Sequence, residues 1–255
     1  MRYKLILEYD GTSLIGFQKN KNGDSVQSLV EDAIFKFCGE RVEVVGCGRT
    51  DAGVHAAAMP AHFDLSVARD SWFVNRESGF EVRDTIKRAL NFYLSDSPVS
   101  VADCEAVPDD WHARFSCVRR NYRYVILNRD FPPTIDKNFV WWIPKKLDID
   151  AMRGAAEKLV GNHDFSSFRA SECQAKSPVK TIDEIKITNH EPRITIDFSA
   201  RSFLHHQVRN IVGTLVEIGL GKPIGIESVL AARDRGAAGP TAPARGLFFM
   251  SADYA

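Results

Sequence analysis

The spacing of apolar residues switches repeatedly between two and about 3.6 over the first 107 residues, and this order constrains the fold more than any other property. Arg2 to Glu8 alternates as a strand and runs into the turn Asp10-Gly11. Val26, Leu29, Val30, Ala33, Ile34 and Phe37 form one helical stripe, with Asp24 or Ser25 as its cap and Gly39 as its stop. Arg41 to Cys47 and Ala61 to Leu65 read as strands, and residues 68–80 as a polar, irregular loop. Val82 to Leu94 reads as a helix with Val82, Ile86, Leu90 and Tyr93 on one face, and Val99 to Val107 as a strand. The order β-α-β-β-α-β lacks the strict alternation of a parallel sheet. It predicts an α+β fold with a mixed or antiparallel sheet, and a ferredoxin-like split βαβ unit fits this half.

The second half repeats that character without a residue-level repeat. Asn121 to Leu127 alternates, with Tyr122, Tyr124 and Ile126 on one face. Phe139 to Ile143 is a short aromatic strand; Asp148 caps a helix to Val160, ended by Gly161. Strands near Ile182–Thr188 and Arg193–Ser199 precede the longest predicted helix, Phe203–Gly219, with Leu204, Val208, Ile211, Leu215 and Ile218 as its buried stripe. A helix near Ile226–Arg233, the loop GAAGPTAPARG and a strand Leu247–Met250 follow. A boundary near residue 107 divides the chain into halves 1–106 and 107–255, with no linker-like stretch to mark it.

Composition narrows the function classes. Five scattered cysteines (Cys38, Cys47, Cys104, Cys117, Cys173) without a C-x-x-C pair argue for reduced thiols in a cytoplasmic protein, and against a disulfide framework or zinc knuckle. MRYKLILEYD is broken by Glu8 and reads as a strand, not a signal peptide; no apolar run is long enough for a bilayer. With 33 basic and 33 acidic residues the net charge is zero, which by itself counts against a nucleic-acid binder. The charge is segregated, however. Between His112 and Arg129 stand Arg114, Arg119, Arg120, Arg123 and Arg129 with no acid, just after the acidic run Asp103, Glu105, Asp109 and Asp110. A basic groove on a neutral protein requires such segregation.

The chemistry-bearing stretch is GCGRTDAGVHA, residues 46–56, where glycines surround a single carboxylate, Asp51. Missing side chains at Gly46, Gly48 and Gly53 would let a partner approach the backbone. A dinucleotide fingerprint would need a third glycine where Asp51 stands, and a carboxylate there repels pyrophosphate. P-loop, G-x-S-x-G and H-E-x-x-H motifs are absent. His205 and His206 are adjacent on the predicted long helix, where neighbours point about 100° apart, so they read as one packed and one solvated histidine and not as a metal pair. On the Arg-rich strand, a half-buried strand with solvated arginines competes with an aromatic that stacks on a base beside phosphate-binding arginines. Arg209 sits beside the buried stripe of its helix and needs a carboxylate if it is buried.

Together these blocks resemble the tRNA pseudouridine synthases of the TruA type. The resemblance runs through LEYDGTSLIGFQ, GRTDAGVHA, HARFSCVRRNYRY, NHDFSSFRASEC, FLHHQVRNIVGTLVEIG and ARGLFFMSADY, nearly the whole chain. It implies two ferredoxin-like (RRM-like) halves sharing a continuous, mostly antiparallel sheet, with helices on one face and a central cleft. It implies an isomerase that converts uridine to pseudouridine at positions 38, 39 and 40 of the tRNA anticodon stem-loop. Such an enzyme uses neither metal nor organic cofactor, and is a homodimer in which one tRNA touches both subunits. By the same resemblance Asp51 matches the essential aspartate and Arg49 the arginine that displaces the target base. Tyr122 matches the tyrosine that stacks on the flipped uracil, Arg209 the arginine that pairs with the aspartate, and Leu247 an apolar pocket residue. Arg114, Arg119, Arg120, Arg123 and His205 are further candidates for RNA contact. The chain departs from the pattern at Phe17 (tryptophan is usual), Gln207 (methionine), Ala58-Met59 (glycine–glutamine) and residues 68–80. A non-catalytic RNA-binding or tRNA-folding module is the competing reading from another class.

Overall fold

The computed structural model describes residues 1–66 and 82–255, so the loop expected at 68–80 lies outside the described residues. The chain is α+β and divides into two compact units, Met1–Val118 with Phe249–Ala255, and Arg119–Phe248.

In the first unit, β1 (Arg2–Tyr9) buries Tyr3, Leu5, Leu7 and Tyr9 on one face, as its alternation predicts. The helix α1 (Val26–Cys38) is capped by Ser25, not Asp24: Ser25 Oγ accepts from the Ser28 amide at 3.1 Å while Ser28 Oγ accepts from the Ser25 amide at 3.0 Å. Gly39 ends it in the left-handed region at φ 69. Gln27 and Cys38 are buried alongside the expected apolar stripe, whereas Leu29 and Phe37 are half-buried. The strand expected over Arg41–Cys47 shrinks to β2 (Val45–Gly46). Side chains of α1 take the place of a ladder there: the Val44 amide donates to Glu31 Oε1 and the Val44 carbonyl accepts from Gln27 Nε2. β3 (His55–Asp64) begins six residues before the expected Ala61, and α2 (Val82–Tyr93) buries Ile86 and Leu90. Tyr93, expected on the buried face, is exposed, and Leu94 just past the helix is buried instead. β4 spans Val99–Val107. β1 is central, antiparallel to both β3 (Leu5↔Ala61) and β4 (Leu5↔Cys104).

In the second unit, β5 (Cys117–Asn128) pairs antiparallel with a later strand, and β6 (Trp141–Ile143), shorter than the aromatic strand expected from Phe139, runs parallel to it. Helix α3 (Ile149–Glu157), capped by Asp148, stops three residues before the expected Val160. Gly161, read as the helix stop, has φ 104 and opens the strand β7 (Gly161–Asp164), which the residue pattern did not predict. β8 (Val179–His190) and β9 (Arg193–Ala200) form an antiparallel pair, giving the order β5-β9-β8-β7. Helix α4 spans Gln207–Gly219, and α5 spans Ile226–Ala232. Two short 3-10 turns, Arg235–Ala237 and Ala244–Gly246, stand at the two ends of the loop that follows. The last strand, β10 (Leu247–Tyr254), is twice the expected length and returns the chain to the first unit beside β3.

Candidate functional site

In the first unit the Asp51 loop is built by contacts with the segment 9–17. Asp51 is half-buried on a turn closed by the Val54 amide donating to the Asp51 carbonyl at 3.2 Å. Gly53 has φ 79, the left-handed region that favours glycine. Gly16 forms a bridge with Asp51, and the Phe17 amide donates to the Thr50 carbonyl at 3.1 Å. A Cβ at Gly11 would lie 2.0 Å from the Val54 oxygen, and one at Gly16 would lie 2.6 Å from the Thr50 oxygen. Glycines in LEYDGTSLIGFQ therefore serve the loop of the second motif.

Not every glycine of the loop makes room for a partner. A Cβ on Gly46 would lie 2.5 Å from Phe17 Cζ, so the space there is filled by the protein's own buried ring. Phe17, one of the departures from the family pattern, is thus the residue against which the loop is seated. Met59 is likewise fully buried, opposite Leu7 in β1, and Ala58 is half-buried.

Two residues to which the residue pattern assigned no role hold the loop from behind. Tyr9 and Thr50 share a buried hydrogen bond of 2.8 Å, and burial pushes the Tyr9 phenol far above its ordinary range, which keeps it neutral. His55, 1% exposed, accepts from the Gly11 amide through Nδ1 at 3.0 Å, with Asp10 Oδ1 3.1 Å from the same nitrogen. Arg49, by contrast, is exposed. Buried Thr50 thus stands in the chain between exposed Arg49 and half-buried Asp51.

In the second unit, Tyr122 and Tyr124 share one face of β5. Tyr122 is half-buried and meets the Phe203 ring edge-on at 5.3 Å. Tyr124 is fully buried: its ring lies where a Cβ on Gly246 would be 2.6 Å away, and its hydroxyl donates to the Pro243 carbonyl at 2.8 Å. Burial pushes the Tyr124 phenol far up, opposed by the positive charges of Arg209 and Arg245. Arg209, half-buried on α4, donates from Nε to the Ala242 carbonyl at 2.8 Å, and the Ala242 amide donates back to the Arg209 carbonyl at 3.1 Å. Leu247, 6% exposed, directly follows Gly246. The segment 242–247 therefore gathers Arg209 and Leu247 around the tyrosine face of β5.

The arginine-rich strand is more engaged than its charge pattern suggested. Arg123 makes a two-pronged pair with Asp197, its partner across the β5–β9 ladder, at 2.7 and 3.3 Å. Arg119 lies 3.6 Å from Asp183, and Arg120 donates to the Arg201 carbonyl. Arg114 is exposed, on a turn whose amides at 114 and 115 donate to His112 Nδ1.

The expected helix start at Phe203 is displaced. α4 begins at Gln207, because His206 adopts φ 62, a left-handed conformation that cannot sit inside an α-helix. His205 and His206 therefore precede the helix, and their rings lie 4.0 Å apart at 39°, so a separation of 100° between helical neighbours does not apply to them. Gln207 is completely buried, and its Oε1 accepts from the Leu204 amide at 2.7 Å, which closes the turn that starts the helix.

Comparison with known proteins agrees with this arrangement of motifs. A family model described as tRNA pseudouridine synthase matches residues 5–116 and 155–255. The tRNA pseudouridine synthase A of Rhodospirillum centenum is 51% identical over 255 residues, covering 99% of each chain. That of Parvibaculum lavamentivorans is 47% identical over 255 residues with the same coverage, and that of Ehrlichia ruminantium (strain Gardel) is 48% identical over 257 residues and covers 100% of each chain. With a family model matching most of the chain and relatives 47–51% identical over almost its full length, the chain belongs to the tRNA pseudouridine synthase A family.

Proposed function

We propose that this protein isomerises uridine to pseudouridine in tRNA, at positions 38, 39 and 40 of the anticodon stem-loop, with Asp51 as the nucleophile. The observation that carries this reading is a single half-buried carboxylate on a glycine turn, braced from behind by Tyr9, Thr50 and His55, in a chain of this family.

The reaction breaks the glycosidic C–N bond, turns the uracil and rejoins it through carbon. No group enters or leaves, so the residues need only supply an anionic oxygen, hold the base and move one proton. Asp51 supplies the oxygen, and Arg209 is its charge partner: a neighbouring guanidinium favours the ionised carboxylate against the desolvation of a closed site. The target nucleotide must leave its stack at a cost of a few kcal/mol. Arg49, exposed beside the turn, takes the vacated space. Tyr122 recovers part of the cost by stacking, worth about 1–3 kcal/mol per base, and its hydroxyl is suited to relay the proton lost from carbon. Leu247 supplies apolar wall, and Arg114, Arg119, Arg120, Arg123 and His205 are the further RNA contacts of this proposal. The N-terminal half thus contributes the acid and the C-terminal half the tyrosine and arginine. Two ferredoxin-like halves sharing a sheet, a homodimer in which one tRNA touches both subunits and a cytoplasmic location belong to the same proposal and rest on the resemblance.

The test is an undermodified tRNA transcript incubated with the protein alone and mapped for pseudouridine. The wild type is expected to modify positions 38–40. Asp51→Asn and Tyr122→Phe are expected to bind the transcript and form no pseudouridine. Turnover by Asp51→Asn would exclude the mechanism, and an inactive wild type that still binds tRNA would favour the RNA-binding module.

A further inference from the structure

The segment 235–242 is pressed onto α4 with no space between. A Cβ on Gly213 would lie 1.7 Å from the Pro240 carbonyl oxygen, and one on Gly239 would lie 2.7 Å from the Thr214 Cα. Four polar side chains hold this contact. Asn210, fully buried, accepts at Oδ1 from Arg235 Nη2 at 3.0 Å and from Thr241 Oγ1 at 2.6 Å, and donates from Nδ2 to the Phe168 carbonyl at 2.9 Å. Arg235 also donates to the Gly239 carbonyl at 2.8 Å and to Thr241 Oγ1 at 3.1 Å. Thr214 Oγ1 donates to the Asn210 carbonyl at 2.8 Å and accepts from the Gly239 amide at 2.9 Å.

Arg235 is the unusual member. It is half-buried, and among the described residues its guanidinium meets neutral oxygens only. Burial pushes its pKa down, so the charged form is held at a cost. A cation without a carboxylate is a poor stabiliser, whereas a planar fork with several donors is a good spacer that fixes the directions of its acceptors. The acceptors it fixes are Asn210 and Thr241, and these flank Arg209 and Ala242, the pair joined by the reciprocal bonds of 2.8 and 3.1 Å.

We propose that Arg235, Asn210 and Thr241 form a positioning unit that sets the direction of the Arg209 guanidinium by clamping the residues next to both ends of the Arg209–Ala242 contact. The proposal rests on the role given to Arg209 above. None of the three residues is a catalytic residue. They act through Arg209, and a displacement of about 1 Å at a reacting group lowers a rate by about 100-fold.

The experiment compares Thr241→Val, which removes the hydroxyl at nearly constant volume, with Thr241→Ser, which keeps it, and adds Arg235→Met. Two readouts are taken: steady-state kinetics on a tRNA transcript, and the rate at which the Arg209 Nε–H exchanges with water by NMR, with the signal assigned from Arg209→Lys. Thr241→Val and Arg235→Met are expected to lower kcat at least about tenfold with KM for tRNA within about twofold, and to speed the Nε–H exchange. Thr241→Ser is expected to stay within about twofold of wild type in both. Unchanged kcat in Thr241→Val, or unchanged Nε–H exchange in it, overturns the proposal. Losses that follow a lowered melting temperature and spare kcat under conditions where the variants are folded overturn it as well. Should Arg235→Met fail to fold, the Thr241 pair decides. If the wild type forms no pseudouridine, the functional reading fails separately, and the exchange rates still decide whether the unit positions Arg209.

Discussion

His62 shows how far a single position departs from what its residue type suggests. It is 3% exposed, accepts from the Ala113 amide through Nδ1 at 3.3 Å, and packs against Trp111 and His112. Burial, then the positive charges of Arg2 and His112, push its imidazole down to about 4. The unfolded chain, with an ordinary value of about 6.5, takes up this proton first as the pH falls. The stability contribution is therefore complete above about pH 6.5 and is lost progressively toward pH 4, by up to about 3 kcal/mol. Melting temperature measured between pH 7.5 and 4.5 should fall along that window. His62→Asn, which keeps an acceptor for Ala113, should flatten the slope, and an equally steep profile in the variant would show that other groups set it. Gly46 makes the same point sterically. Its missing Cβ suggests space for a partner, yet the space belongs to Phe17, 29 positions earlier in the chain.

At the level of elements, α1 is the most legible part of the chain because its stripe, cap and stop are all local signals. Choosing between Asp24 and Ser25 as the cap needed the structure: Asp24 is exposed, and Ser25 is buried in a reciprocal bond with Ser28. Ser25→Ala should cost about 1–2 kcal/mol in a denaturant titration, while Asp24→Ala should change little. Helix α4 is less legible. Its spacing predicts a stripe of five apolar residues, but Asn210, Gly213 and Thr214 are also buried because the loop 238–242 covers a second face. That cover comes from residues about 30 positions downstream, and no periodicity within the helix signals it. The shortened β2 and the early start of β3 have the same origin, since a neighbouring helix or strand supplied hydrogen bonds that local spacing had assigned otherwise.

For the whole molecule, the first unit is completed by the end of the chain. Phe249 is fully buried, the Tyr254 hydroxyl donates to the Ala113 carbonyl at 2.7 Å, and the Tyr254 ring lies 4.9 Å from Trp111. Replacing Phe249 with Ala should cost about 3–5 kcal/mol, a fall of at least about 6 °C in melting temperature by calorimetry, although only six residues follow it in the chain. A second prediction at this scale concerns RNA. The net charge is zero, so on the proposed function attraction to phosphate would come from local cations, of which exposed Arg114 is one candidate. Affinity for tRNA, measured by filter binding, should fall linearly in log K against log salt, with a slope reduced by about 1 in Arg114→Ala if that residue meets one phosphate. Among the described residues no helix is long and apolar enough to cross a membrane.

The sequence by itself determined the α+β class, the positions of α1, β4, β8 and β9, and the family, because periodicity, capping and contiguous motifs are properties of near neighbours. Asp51, Tyr122 and Arg209 were legible as candidates through those motifs. Only the tertiary structure decided what supports them: Tyr9 and His55 behind the Asp51 loop, Phe17 over Gly46, the left-handed His206 that delays α4, and the clamp of Arg235, Asn210 and Thr241 beside Arg209. Those residues act through close approach between segments far apart in the chain, and such contacts leave no local pattern.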